Sequence, residues 1–230
     1  MHWQKLIRAS ELYREPVKGQ NPNRFYDLHM ARRKPSQWDL DEGPSDDEVA
    51  LLIKFLNDWG TRYPSDEHSQ ASLKKAYVKV LPRLRLLQGY DLVEARFDSR
   101  VADGKTLSET IQEVFEALAS AGEKRQWTGT SKILHVLRPH LFVMWDSAIR
   151  GGYAVREGSD YSSWFLPLMQ RQAREVIDSY VAETKSERLI AVKELEKLGG
   201  DKPGEPRRIT KLLDEYNYCK FRVRCPELWG

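Results

Sequence analysis

The chain has little cysteine, no long apolar run and none of the glycine or histidine signatures that mark common enzyme classes. Cys219 and Cys225 are the only cysteines among 230 residues. Two thiols are too few for a four-thiolate zinc or iron–sulfur site. They point to a reducing compartment, with a disulfide between them as the alternative. No window holds the roughly 18 apolar residues that suggest a membrane span. The start, from Met1 to Arg8, lacks the apolar core of a signal peptide, so the expected address is the cytosol. There is no phosphate-loop or dinucleotide fingerprint, no His-Glu-x-x-His and no Gly-x-Ser-x-Gly elbow. His135 and His140 flank Pro139 and do not share a helix face, so neither metal nor cofactor is expected. Strands alternating with helices are missing too, which argues against a parallel α/β sheet.

What is present reads as helix. Ser45-Asp46-Asp47-Glu48 and Thr106-Leu107-Ser108-Glu109 are capping boxes, each followed by apolar residues at helical spacing. Val49, Leu52, Ile53 and Leu56 form the first inward stripe; Ile111, Val114, Phe115 and Leu118 form the second. About Ser69 to Leu87 gives another amphipathic pattern, with Pro82 expected to kink or divide it. Further helices are expected over 162–180, 186–198 and 207–216, with a linker of Gly and Pro between the last two. The expected fold class is therefore all-α, with helices of modest length. Residues 1–44, punctuated by four prolines, read as an irregular segment packed on the body through Trp3, Phe25, Tyr26 and Trp38. Residues 45–198 form the helical core, and 199–230 the linker, a final helix and a tail. Within that tail Lys220 to Arg224 alternates with period two, which permits a short strand. Its mix of aromatics with Lys220, Arg222 and Arg224 suits either stacking on bases or docking onto the body. Arg32-Arg33-Lys34 reads as a solvated loop, with phosphate contact as the alternative.

A formal charge of +3 permits an acidic partner without requiring one. The distribution says more. Between Lys124 and Arg156 six basic residues stand against Asp146 alone, a local excess of five positive charges. This region, 127–150, concentrates the chemistry. Thr128, Gly129, Thr130 and Ser131 bring amides and hydroxyls to an expected helix start, an arrangement that attracts anions. Lys132 is expected in the first turn, where the helix dipole disfavours a cation and so favours the neutral, nucleophilic amine. Asp146 follows the apolar Phe142-Val143-Met144-Trp145 and should open the next helix. It is either a cap or a catalytic carboxylate, and the two roles are compatible. On the plainer reading, Thr130 or Ser131 caps one helix, Asp146 caps the next, and Lys132 is solvated.

The order Gly129-Thr130-Ser131-Lys132, apolar helix, Pro139 turn, then Asp146-Ser147-Ala148-Ile149-Arg150 resembles the core of the helix-hairpin-helix DNA glycosylases. It is most similar to the branch that acts on oxidised purines. The resemblance implies a two-lobed helical fold and a base-excision activity with strand nicking through a Schiff base. It implies Lys132 as nucleophile, Asp146 as the essential carboxylate and Gly129 as a hairpin glycine holding phosphate. On that reading Thr128, Gly129, Thr130, Ser131, Arg125 and Arg150 contact the DNA backbone. Trp127, Trp145, Tyr153 and Trp164 are the candidates to hold a flipped base. The expected partner is double-stranded DNA carrying damaged bases, bound by a monomer. The pattern departs from the family in its reduced glycine hairpin, in a short Lys-to-Asp separation, and at Ser147 and Ala148. The competing readings are a non-catalytic nucleic-acid-binding module and an all-helical protein-interaction domain.

Overall fold

The computed structural model describes residues 1–14, 26–27, 30, 43–101, 104–155, 157–200, 206–223, 225 and 228. Expectations resting on Phe25, Trp38, Arg32-Arg33-Lys34, Arg156 and Arg224 lie outside these residues. The fold is all-α: among the described residues the only β pairing is one isolated bridge, Arg100 with Thr106.

The helices in order are α1 (Trp3–Arg14), α2 (Asp46–Asp58), α3 (Glu67–Leu86), α4 (Leu107–Ala119) and α5 (Trp127–Leu137). There follow α6 (Ser147–Gly152), a π-helical turn (Tyr161–Phe165), α7 (Leu166–Thr184), α8 (Arg188–Leu198), α9 (Ile209–Tyr218) and a second π-helical turn (Cys219–Val223). Both capping boxes form: Ser45 and Thr106 accept the amides of Glu48 and Glu109, whose carboxylates reach back to the cap amides. Pro82 does not divide α3. The carbonyl that loses its amide partner belongs to Val78, which is exposed.

Two expectations need correction. The N-terminal segment is not irregular throughout, because α1 spans Trp3–Arg14. Leu6, Ala9, Ser10 and Tyr13 make its buried face. Its start is held from afar: the Met1 amine meets Glu175 at 2.7 Å, and Ser179 Oγ accepts the Trp3 amide at 2.9 Å. No local cap announces this helix, and a serine on its buried face weakens the apolar stripe. Likewise the segment around Lys220 is not a strand but the second π-helical turn. It is fixed by Phe221, whose ring lies edge-on to Tyr153 at 4.8 Å and occupies the space a side chain at Gly152 would need.

α9 sits at the centre. Nine of its ten residues, Ile209 to Asn217, are buried, including Lys211, Asp214 and Glu215. Its first turn has no cap of its own; Glu196 Oε1 on α8 accepts the Ile209 amide at 3.1 Å. Lys211 Nζ lies 2.7 Å from Asp214 Oδ2 and 3.5 Å from Glu215 Oε1, and Arg207 pairs with that same Glu215 oxygen. Ser10 from α1 also donates to Glu215. A buried ion pair adds little net stability, but removing one partner strands the other charge at about 3–5 kcal/mol. Lys211→Ala is therefore expected to lower the unfolding free energy by about 3–5 kcal/mol in urea denaturation. A loss below about 1 kcal/mol would show that the network is hydrated rather than buried.

Candidate active site

Residues 141–145 leave a turn at Leu141 and reach α6 without regular secondary structure, buried, with side chains satisfying their backbone. His135 Nδ1 lies 2.6 Å from the Phe142 carbonyl, and its Nε2 lies 3.1 Å from the Tyr26 hydroxyl. The Tyr161 hydroxyl donates to the Val143 carbonyl at 2.7 Å, and Ser131 Oγ accepts the Trp145 amide at 3.2 Å. This explains both an apolar run that is not a strand and a histidine whose two nitrogens are occupied. Among the described residues no cluster of three or more His, Cys, Asp or Glu could hold a metal ion.

The run delivers Asp146 to the start of α6, where Oδ1 accepts the Ile149 amide at 2.8 Å. Asp146 thus caps the helix and stays half-buried beside a cavity of about 260 Å³. Lys132, 9% exposed, lines the same cavity. Its Nζ donates to the Trp59 carbonyl at 3.0 Å and lies 4.7 Å from the centre of the Trp59 ring. Burial pulls the Lys132 ammonium down from its ordinary range to about 8, against the opposing attraction of Asp214 and Asp146. Lys132 lies in the second turn of α5, not the first, so desolvation rather than the helix dipole is the cause. Lys132 is not solvated, and neither Thr130 nor Ser131 is a cap, since Gln126 occupies that position without a side-chain bond.

Apart from Trp145, the rest of the wall carries no signal in the sequence. Asp214 enters from α9 with Oδ2 held by Lys211 at 2.7 Å; burial raises its carboxyl, and Lys211 opposes that change. Tyr13 and Tyr218 meet edge-to-face at 5.0 Å, and Trp59, Trp145 and Arg222 line the cavity with them. Behind Asp214, Lys211 points at the rings of Tyr13, Tyr26 and Trp59, 4.6 to 5.1 Å from their centres. Lys211, Asp214 and Glu215 stand at helical spacing, the pattern of a solvated charged face. Nothing local distinguishes them from one. Trp59 reads as the residue before a helix-ending glycine, and Tyr13 lies on α1, which no local cap or clean apolar stripe announces.

Of the four aromatic candidates, Trp145 lines the cavity; Trp127, Tyr153 and Trp164 do not. Tyr153 packs on Phe221 and donates to Asn217 at 2.7 Å, and Trp164 is exposed. The backbone-contact candidates are dispersed. Gly129 lies inside the first turn of α5 rather than in a preceding hairpin, and its open face packs against Tyr63 and Leu56. Thr130 and Ser131 are fully buried, while Thr128 is half-buried at the helix start. Arg125 pairs with Glu116 at 3.6 Å, and Arg150 covers Trp127 at 5.2 Å. Nor does the local positive excess gather on one face: Lys132 is buried, and Arg138 donates to the carbonyls of Leu137 and Leu84.

No family model matches this chain, and neither curated proteins nor solved structures yield a match. No helix among the described residues is long and apolar enough to cross a membrane.

The buried amine carries a pH signature. A lysine that titrates near 8 when folded and at its ordinary 10.5 when unfolded releases its proton first in the folded state. Below pH 8 both states hold the proton and the cost of burying charge is fully present; it disappears as pH rises toward 10.5. Each pH unit in that interval adds about 1.4 kcal/mol, so the wild type should gain about 3 kcal/mol across it relative to Lys132→Met. A pH-independent difference in chemical denaturation would show that the amine is hydrated.

Proposed function

We propose that the chain is a base-excision enzyme acting on damaged DNA, with Lys132 as nucleophile and Asp146 as the assisting carboxylate. The observation that carries this reading is their convergence: a desolvated amine near pKa 8 and a helix-capping carboxylate line one aromatic-walled cavity. The resemblance of residues 127–150 to helix-hairpin-helix glycosylases supplies the reaction class. A binding module has no use for a buried lysine whose ammonium is disfavoured, which favours the catalytic reading over a passive one.

The chemistry follows from the groups present. The target nucleotide leaves the stack, since its glycosidic bond is shielded within it. As the bond from C1′ to the base breaks, the base departs with the bonding pair and takes up a proton. Positive charge grows on the sugar, and Asp146, fixed by the Ile149 amide, stabilises it. The neutral Lys132 amine donates its lone pair to C1′, forming the N–C1′ bond and losing a proton. Opening of the sugar ring gives an imine, from which elimination breaks the strand. Burial matters because an ordinary lysine is almost wholly protonated at neutral pH, whereas one near 8 is about a tenth neutral at pH 7.

Borohydride trapping on duplexes carrying a panel of damaged bases tests the reading. The wild type is expected to give a covalent protein–DNA adduct that Lys132→Gln does not form. Asp146→Asn, folded by circular dichroism, is expected to release base at least about 100-fold more slowly. Absence of both adduct and base release across the panel would overturn the proposal.

A further inference from the structure

The two acids of the cavity are not equivalent. Asp146 caps a short helix, is half-buried, and has one oxygen engaged by an amide. Its charge is partly screened by water. Asp214 is 7% exposed, and its Oδ2 is pinned at 2.7 Å by an ammonium that is itself wholly enclosed. A carboxylate so placed can neither swing away nor be screened, so its field on a neighbouring amine is larger. Lys132 meets charge from several elements. Asp214, Lys211 and Tyr218 face it from α9, Asp146 from the cap of α6, Arg222 from the second π-helical turn and Tyr13 from α1. Trp59 at the end of α2 supplies only a neutral carbonyl and a ring.

We propose that Asp214 is a positioning residue for Lys132: a carboxylate locked by Lys211 on the wall of the same cavity that sets the balance of charge around the amine. The inference rests on the reading of Lys132 as the nucleophile and adds a role that the pair Lys132 and Asp146 does not contain. The logic is that of shared counter-charge. Lys211 and Lys132 are two buried cations that share the field of one fixed anion, Asp214, which Lys211 touches and which lines the cavity with Lys132. Lys211 also has Glu215 at 3.5 Å, and it holds Asp214 in place for Lys132. Removal of the Asp214 charge leaves Lys132 with only the better-hydrated Asp146 in opposition. Its ammonium then becomes costlier, and its proton leaves at lower pH. Asp214 therefore restrains an amine that burial alone would drive further toward neutrality. It keeps Lys132 titrating close to neutral pH, where proton release and nucleophilicity can both be used.

The test reads Lys132 directly in the full chain without DNA. Methylation by formaldehyde and cyanoborohydride is followed against pH, with the Lys132 peptide quantified by mass spectrometry. The exposed Lys197 serves as reference for reagent speed. The wild type is expected to show a midpoint near 8. In Asp214→Asn the midpoint moves about one pH unit toward acid, raising the neutral fraction about tenfold at low pH. Asp214→Glu, which keeps the charge, restores most of the wild-type profile. A folded Asp214→Asn with an unmoved or alkaline midpoint overturns the inference. If Asp214→Asn does not fold, Asp146→Asn decides. Loss of that solvated cap is expected to move the midpoint by less than about half a pH unit, and a full pH unit would assign the role to Asp146 instead. These outcomes are independent of base release: a chain that never acts on DNA still yields the midpoints, and an unmoved midpoint leaves the trapping result standing.

Discussion

The Lys211 ammonium, fully enclosed within α9, is the constraint from which the rest of the structure follows. A charge removed from water must be matched by partners at close range, and here they are Asp214 and Glu215, with the rings of Tyr13, Tyr26 and Trp59 around them. Glu215 in turn needs Arg207 and the Ser10 hydroxyl. The network therefore ties α9 to α1, to the end of α2 and to the segment entering α9. Such pairs contribute little to net stability, but displacing one partner strands a buried charge, which holds the surrounding helices where every partner is within reach.

One wall of that arrangement is the cavity. Asp214 faces into it because Lys211 holds it from behind. Trp59, whose ring Lys211 covers on α9's side, offers its carbonyl to Lys132. The depressed affinity of Lys132 for its proton is thus a consequence of burial by the same packing that encloses Lys211. Both lysines are desolvated, yet they differ in kind. Burial disfavours the Lys211 ammonium too, but its two carboxylates outweigh burial and push it up. Lys132 is pulled down, because burial outweighs its more distant acids. One is a structural cation; the other is a cation that gives up its proton far more readily than an ordinary lysine.

The sequence made much of this readable, and the boundary is physical. Capping boxes are local bonds between residues three apart, so Ser45 and Thr106 announced α2 and α4 directly. The apolar run before Asp146 and its cap were legible for the same reason. The start of α1 depends on Glu175 and Ser179, more than 170 positions away, and left no local trace. Asp214 was hidden by its spacing from Lys211, which on an exposed helix would be an ordinary solvated pair; only the burial of α9 on all sides changes its meaning. Lys132 was singled out for its position at a helix start. The structure keeps the residue and replaces the reason, since desolvation rather than the dipole lowers its proton affinity.

The most direct test of a desolvated Lys132 is a titration of the lysine side chains by nuclear magnetic resonance of ε-carbon-labelled protein. One signal, absent in Lys132→Arg, should titrate near pH 8, well below the ordinary lysine range. If the Lys132 signal instead titrates near 10.5 with the folded state intact, the amine is solvated and the proposed nucleophile is an ordinary surface cation.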